Sequence, residues 1–201
     1  MADLVERLIA TSQISPTAVR WTRQDCEALE QASVLNFRYE LVEGFINRMG
    51  QNIGHAGIVR RLLVWLFAAF GAEFVLTQLS IDVRSGDNPT SEPEPDVTVL
   101  TRRDSELGGN PTPVDLRLVI EASDTTLAYD LTTKARLYAR AGIPEYWVVS
   151  LPERKLYVHQ GPDGGAYREV SALAEGEFAA PLGAPDKAVT VASLLPPEAV
   201  V

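Results

Sequence analysis

The chain has few of the residues that build redox, disulfide or multi-histidine metal sites. Its only cysteine among 201 residues is Cys26, which excludes a disulfide framework, a cysteine-based zinc site and a CxxC redox motif. The two histidines, His55 and His159, leave little material for a His-dependent triad. Carboxylates are plentiful. A metal site in this chain would therefore favour a hard, oxygen-bound cation such as Mg²⁺ or Mn²⁺.

Basic residues are also in deficit. The chain has 18 lysines and arginines against 27 aspartates and glutamates, a formal net charge of -9 at pH 7. Proteins that bind nucleic acids non-specifically normally present a basic face, so this balance taken alone argues against that class. Lysine is especially scarce, since it occurs only at positions 134, 155 and 187.

The sequence lacks a long hydrophobic run. The longest, residues 62–72, has 11 residues, whereas a helix that spans a bilayer needs roughly 18–20. Asp3 and Glu6 stand where a secretory signal peptide would carry basic residues. We therefore expect a soluble, cytoplasmic protein that does not associate with membranes.

Patterns of apolar and turn-forming residues predict a mixed α/β (α+β) fold. We expect an N-terminal leader and helix over residues 1–36, the main domain over 37–175 and an irregular C-terminal extension over 176–201. Thr22 and Asp25 have the spacing of a capping box that opens the first helix. The patterns predict helices at about 22–33, 54–70 and 130–141, hairpins at 38–49 and 145–160, and strands at 74–83, 96–100, 117–123 and 166–172. This order favours a central mixed β-sheet flanked by helices, with added β-hairpins.

Two carboxylates lie on neighbouring predicted strands. Asp96 begins the strand 96–100 directly after a proline, and Glu121 lies inside the apolar strand 117–123, on the face opposite that of Ile120. An ionised glutamate is unfavourable in an apolar strand without a partner, so Glu121 needs a metal ion, a cation or access to solvent. A structural ion pair, or partial exposure near the strand end, explains Glu121 equally well.

Lys134 lies in a predicted helix, one turn after Asp130. On a solvated helix face this i,i+4 pair is an ordinary ion pair, worth about 0.2–0.5 kcal/mol. The alternative is that Lys134 points to the carboxylates of the neighbouring strands. A lysine there orients an attacking water or stabilises charge that develops on a phosphate.

Several motifs surround these three residues. They are YELVEG at 39–44, His55, EPEPDV at 92–97, VIEASDTT at 119–126, then Tyr129, Asp130 and Lys134, and LYARAGIPEYW at 137–147. Together they resemble the Uma2 (DUF820) family of putative restriction endonucleases, which is part of the PD-(D/E)xK nuclease superfamily. The resemblance extends over about residues 39–168.

This resemblance implies a restriction-endonuclease-like core and hydrolysis of phosphodiester bonds that depends on Mg²⁺ or Mn²⁺. Asp96 and Glu121 would be the metal-ligating carboxylates. Ser123 stands where the superfamily has a lysine, two residues after the glutamate, and Lys134 fits the alternative position on the following helix. Glu40 is a candidate for a further acidic residue of the site, Glu43 competes with it for that role, and His55 is a candidate accessory residue.

We expect DNA as the substrate and a homodimer as the assembly. Trp65, Tyr146 and Trp147 are expected in the core or at a dimer interface. The same residues are compatible with a non-catalytic dimeric binding module that keeps the nuclease fold. They are also compatible with a metal-dependent hydrolase of another phosphate-containing substrate. For DNA, the net charge predicts weak, salt-sensitive binding that depends on the metal.

Overall fold

Helices and strands follow one another much as the sequence predicts in the computed structural model, which describes residues 19–50 and 52–197. The predicted leader before residue 19 lies outside the described residues. In chain order the elements are α1 (Arg23–Gln31), β1 (Tyr39–Val42), β2 (Phe45–Arg48), α2 (Ile53–Phe70), β3 (Val75–Thr77), β4 (Val97–Leu100), β5 (Leu116–Ser123), α3 (the consecutive pieces Leu127–Tyr129, Asp130–Lys134 and Ala135–Ala141), β6 (Glu145–Ser150), β7 (Lys155–Asp163), β8 (Ala166–Ala174), β9 (Phe178–Ala179), β10 (Val189–Thr190) and α4 (Val191–Leu194). The middle piece of α3 is π-helical.

A six-stranded mixed sheet lies at the centre, with the spatial order β3-β4-β5-β6-β7-β8. Strands β5 and β6 are parallel and are connected through α3, whereas the other neighbouring pairs are antiparallel. A parallel pair needs a crossover connection, and a helix commonly supplies it. The predicted mixed α/β fold with a central mixed sheet is confirmed.

Helices cover both faces of this sheet because its central strands are apolar on both sides. On one face, Leu62 and Leu66 of α2 belong to the same apolar cluster as Leu118 and Ile120 of β5. On the other face, Tyr138 of α3 belongs to the cluster that contains Val119. The predicted alternation along β5 is thus confirmed, and it places Glu121 on the α3 side.

The large aromatic side chains named from the sequence lie in the core. Tyr146 and Trp147 are fully buried. Trp65 stacks on Trp147, with their ring centroids 5.7 Å apart. Burial of these rings contributes to the packing of α2 and β6 within a single chain.

The first hairpin, β1–β2, is antiparallel and closes at a two-residue turn, Glu43-Gly44. Both turn residues have positive φ, 49° and 81° respectively, which matches the right-handed twist of the strands. A Cβ on Gly44 would come within 2.7 Å of Arg20 Cβ, so the position also needs the absence of a side chain. A bridge between Leu41 and Glu92 joins the hairpin to the segment before β4.

Two element boundaries differ from the sequence-based expectation. The strand predicted over 74–83 ends at Thr77, because Gln78 has φ of 53° and turns the chain. Ile81 and Val83 nevertheless remain buried beyond the turn. The helix predicted from Asp130 begins earlier, at Leu127, through the π-helical piece. The capping box of α1 is confirmed, since Thr22 and Asp25 exchange hydrogen bonds.

The C-terminal segment packs onto the main domain. Strands β9 and β10 form a small antiparallel pair. Val191, Leu194 and Leu195 are buried in the same apolar cluster as α2. Burial of these side chains attaches residues 176–197 to the face of the sheet that α2 covers.

Helix α2 is long and apolar enough to cross a membrane by length and composition alone, with a mean hydropathy of 1.4 over 18 residues. Ile58, Leu62 and Leu66 are fully buried against the sheet, and Val64 and Phe67 lie on the exposed side. A core helix of a water-soluble domain shows the same buried stripe.

Candidate functional site

Sheet register brings Asp96 and Glu121 together. Val97 of β4 pairs with Ile120 of β5 in antiparallel fashion, so the next residue on each strand, Asp96 and Glu121, lies at the same end of the sheet. Asp96 Oδ2 accepts a hydrogen bond from the Ala122 backbone N–H at 2.8 Å. Both carboxylates are only 4% exposed.

Lys134 reaches the same place from α3. Its Nζ lies 2.9 Å from Glu121 Oε1 and 2.9 Å from Glu40 Oε2. Lys134 is the last residue of the π-helical piece, in which each turn contains one residue more than an α-helical turn. Such π turns are frequent at functional sites. The buried lysine excludes the interpretation of an i,i+4 pair on a solvated helix face.

The structure separates the two glutamates of the first hairpin. Glu40, on β1, is buried and accepts from Lys134 and, at 3.3 Å, from the Glu94 backbone N–H. Glu43, in the turn, pairs instead with Arg140 at 2.7 Å. Of the two, Glu40 is the one that joins Asp96, Glu121 and Lys134.

His55 lies in the first turn of α2 and contacts the site through Asp96. Its Nε2 is 2.9 Å from Asp96 Oδ2. Its backbone N–H donates to Asn52 Oδ1, which caps the helix, and this fixes the entry of α2 beside the sheet end. The hydrogen bond to Asp96 raises the pKa of His55, and burial opposes that shift. His55 Nδ1 is buried and has no hydrogen-bond partner among the described residues.

Burial and crowding of acids control the charge state of the cluster. Burial raises the pKa of Glu121 well above its ordinary value. The Lys134 ammonium opposes this shift, whereas Asp96, Asp130 and Glu40 add to it. Burial lowers the pKa of Lys134, but the surrounding carboxylates outweigh it and hold that pKa well above its ordinary value. The buried cluster therefore holds the Lys134 ammonium group together with more carboxyl groups than this single positive charge can neutralise.

Three further residues complete the site, and sequence reasoning did not assign them to it. Asp130 is buried and accepts a hydrogen bond from Thr126 at 2.6 Å. Tyr138 donates to Glu121 Oε1 at 3.0 Å. Arg48, at the end of β2, lines the same cavity. Asp130 and Tyr138 each lie four residues from Lys134, so helical spacing is the signal that could have identified them.

Apart from Tyr138, which contacts the site through Glu121, these groups line one cavity of about 410 Å³. Its floor carries the buried side chains, and its walls come from residues 46–50, Asn52 and residues 124–126. Cys26 and His159 do not line it. All candidate residues apart from Glu43 therefore meet in one place.

The donor chemistry of this floor suits a hard divalent cation, because carboxylate oxygens are the ligands that Mg²⁺ and Mn²⁺ prefer. Asp96 accepts its hydrogen bonds on Oδ2 and Glu121 on Oε1. Among the described residues the other oxygen of each carboxylate has no hydrogen-bond partner, so it keeps its capacity as a ligand. In this arrangement the described side chains do not form a ready-made group of three or more metal-ligand residues.

Comparisons with known proteins point to the same family that the sequence motifs resemble. A family model described as Uma2, putative restriction endonuclease, matches residues 24–192. The chain is also similar to a solved structure of a putative nuclease belonging to DUF820 from Anabaena variabilis ATCC 29413. The sequences are 15% identical, the match covers 83% of this chain and 96% of that chain, and the TM-score is 0.57. At this identity the likeness to the solved structure concerns the fold alone. No curated protein matches the chain.

Proposed function

Because the chain belongs to the Uma2 family of putative restriction endonucleases, we propose that it is a metal-dependent nuclease that hydrolyses phosphodiester bonds in DNA. One observation carries the proposal: Asp96, Glu121 and Lys134 meet on the floor of a single cavity. Asp96 directly precedes β4, Glu121 lies on β5 and Lys134 on α3, so their meeting is a property of the fold rather than of local sequence.

Asp96 and Glu121 would hold Mg²⁺ or Mn²⁺ through the carboxylate oxygens that have no hydrogen-bond partner in the described chain. The bound cation would supply an activated water and neutralise negative charge on the scissile phosphate. Its positive charge would also offset the surplus of carboxylates on the cavity floor.

Lys134 contributes a fixed positive charge beside this position. Glu40 and Glu121 hold its ammonium at 2.9 Å each, so the charge needs no reorganisation during the reaction. A preorganised cation of this kind stabilises negative charge that develops on a phosphate in the transition state. We assign Glu40 as the positioning residue for Lys134, and His55 as the positioning residue for Asp96.

The test is to incubate circular plasmid and circular single-stranded DNA with the purified protein, in Mg²⁺, in Mn²⁺ and in EDTA. We expect cleavage with either cation, none in EDTA and none for Asp96→Ala. Glu145→Gln is the matched control, because Glu145 is also a buried acid but does not line the cavity. Equal nicking by the wild type and Asp96→Ala would show that the proposal is wrong.

The two alternative functions predict other results. A non-catalytic binding module needs no metal, so Mg²⁺ should give no heat in calorimetry, or a heat that Glu121→Ala retains. A hydrolase of a different phosphate-containing substrate should bind Mg²⁺ through Glu121 but leave both DNA circles intact. Both the homodimer and the cytoplasmic location remain predictions. Light scattering at several protein concentrations tests the first of them.

A further inference from the structure

The cavity is deep and small relative to a nucleic-acid duplex. Glu40, Asp96, Glu121 and Lys134 on its floor are each 4–5% exposed. Its volume of about 410 Å³ is in the lower part of the range of small-ligand pockets. A duplex is a wide rod, with grooves of about 12 Å and 6 Å. A single nucleotide unit is closer in size to this cavity than a duplex backbone with its partner strand.

Two side-chain bridges narrow the way to the floor. Asn47 of β2 donates to the Tyr129 hydroxyl of α3 at 2.7 Å. Asn52, the cap of α2, donates to the Asp124 carboxylate after β5. All four residues line the cavity. Each bridge brings two wall segments within hydrogen-bond distance, which favours a single strand over a wider duplex at the floor.

Arg48 supplies an exposed cation at this cavity. It lies at the end of β2, and its guanidinium carbon is 5.1 Å from the centroid of the Phe37 ring. Within residues 19–50 and 52–197 no carboxylate forms an ion pair with Arg48, whereas Lys134 is already engaged by two. Guanidinium groups and aromatic rings are both surfaces on which unstacked bases pack.

The overall charge also disfavours a duplex. Duplex binding derives most of its affinity from several lysine and arginine contacts to phosphates, and this chain has 27 acids against 18 basic residues. Single strands gain affinity from stacking as well, about 1–3 kcal/mol per base. A site with few cations can therefore hold a single strand better than it can hold a duplex.

We propose that the cavity takes single-stranded DNA, and that Arg48, supported by Phe37, binds the nucleotide next to the phosphate on the cavity floor. This inference rests on the proposed nuclease function and names its substrate class. Duplex DNA would enter where its strands separate, or where a nucleotide leaves the stack.

The experiment measures fluorescence anisotropy of a labelled 12-nucleotide single strand and of the duplex of the same sequence, with Ca²⁺ in place of Mg²⁺. We expect the single strand to bind at least tenfold more tightly than the duplex. Arg48→Ala should weaken single-strand binding by roughly tenfold, the equivalent of one lost stacking contact. Arg48→Lys keeps the charge but loses the flat stacking surface, so its affinity should lie in between.

Arg84→Ala is the matched control, because Arg84 is exposed, carries the same charge and does not line the cavity. It should change binding by less than twofold. Three results would each overturn the inference: equal or tighter binding of the duplex, equal effects of Arg48→Ala and Arg84→Ala, or no binding of either DNA. Should Arg48→Ala fail to fold, Arg48→Lys makes the same test. Single-strand binding through Arg48 without cleavage in Mg²⁺ would contradict the nuclease proposal and leave the binding site standing.

Discussion

Two buried glutamates on adjacent strands have opposite surroundings. Glu145, on β6, is fully buried and accepts three hydrogen bonds from neutral groups: the Trp147 indole at 2.9 Å, the Gln160 amide at 2.8 Å and the Leu182 backbone N–H at 2.8 Å. Glu121, on β5, accepts from Lys134 and Tyr138 on one oxygen only, among other acids. Burial raises the pKa of both carboxyls.

The comparison shows that burial of an acid does not by itself identify a functional site. Donors surround Glu145, so its carboxylate has a structural role and little capacity left for a ligand. Glu121 shares one cation with Glu40 and keeps an oxygen that accepts no hydrogen bond from any described group. Unused ligand capacity beside a fixed cation is what distinguishes the second case.

The largest expected effect comes from removal of that cation. Lys134→Met leaves the buried carboxylates without a counter-charge, so we expect a loss of about 3–5 kcal/mol in the free energy of unfolding at pH 7. Carboxyls with raised pKa bind protons in the folded state, so acidification from pH 7 to 5 should restore part of the loss. Urea unfolding at both pH values measures it.

Lys155→Met is the control for this experiment. Lys155 is half-buried, with a side chain that is 45% exposed, and its Nζ lies 3.9 Å from Glu153 Oε2. A solvent-accessible pair of this kind contributes about 0–1 kcal/mol. Equal destabilisation by both variants would mean that the charge of Lys134 is not needed by the buried cluster.

The second prediction separates the two glutamates by activity. Glu121→Gln removes a metal-ligand candidate without a change in shape, and we expect DNA cleavage to fall by about 10²–10³-fold, since a bound metal supplies several kcal/mol of charge stabilisation. Glu145→Gln should cleave at the wild-type rate. Initial rates at equal concentrations of folded protein check this, and comparable losses in both variants would count against the distinction.

The third prediction concerns a buried group in the surroundings of Glu145. His159, on β7, lies opposite Tyr146 of β6 in the sheet. Burial lowers the pKa of His159 to about 4. The unfolded chain binds a proton at a pKa of about 6.5, so below that pH it binds more protons than the folded chain. The contribution of neutral His159 to the free energy of unfolding is therefore fully present above pH 6.5. We expect the free energy of unfolding to fall by about 3 kcal/mol by pH 4 as this contribution is lost.

Urea unfolding of the wild type and His159→Phe between pH 7 and pH 4 tests this dependence. Phenylalanine keeps the ring contacts with Tyr146 and Tyr167 but does not titrate. The variant should lose less stability than the wild type over this range. Parallel pH profiles would show that His159 is protonated in the folded state.

The smallest effect is expected from the stability of the glutamate variants. In Glu145→Gln one amide N–H₂ faces a group that is itself a donor, which should cost about 1–3 kcal/mol. Glu121→Gln removes a like charge from a crowded floor and should be neutral or slightly stabilising. Thermal unfolding at pH 7 compares them, and the reverse order of stability would contradict our assignment of roles.

Much of the fold follows from local patterns in the sequence. Alternation along β5 predicts which residues face α2, and the capping box at Thr22 and Asp25 predicts the start of α1. The strand predicted over 74–83 was too long. Nothing in its apolar pattern shows that Gln78 has positive φ, and Ile81 and Val83 are buried without being in a strand.

The candidate site was predictable where motif and strand order coincide, as for Asp96, Glu121 and Lys134. The spacing of residues along the chain does not show which of Glu40 and Glu43 joins the site. That depends on where the hairpin turns and on Arg140, which lies on a helix distant in sequence and pairs with Glu43. Arg48 is a lone arginine at a strand end. Its place beside the cavity depends on how the hairpin packs against the segment before β4, a tertiary contact without a local signal.

The π-helical turn Asp130–Lys134 has a consequence for how this chain tolerates change in length. A π turn contains one residue more than an α turn. Deletion of Thr132 or Thr133 would restore ordinary helical winding. Because the wide turn already absorbs the extra residue, the segments before and after it would keep their angular positions. In an ordinary α-helix, by contrast, a deletion rotates all later residues by about 100° relative to the earlier ones. This turn is therefore the part of α3 that best tolerates the loss of one residue.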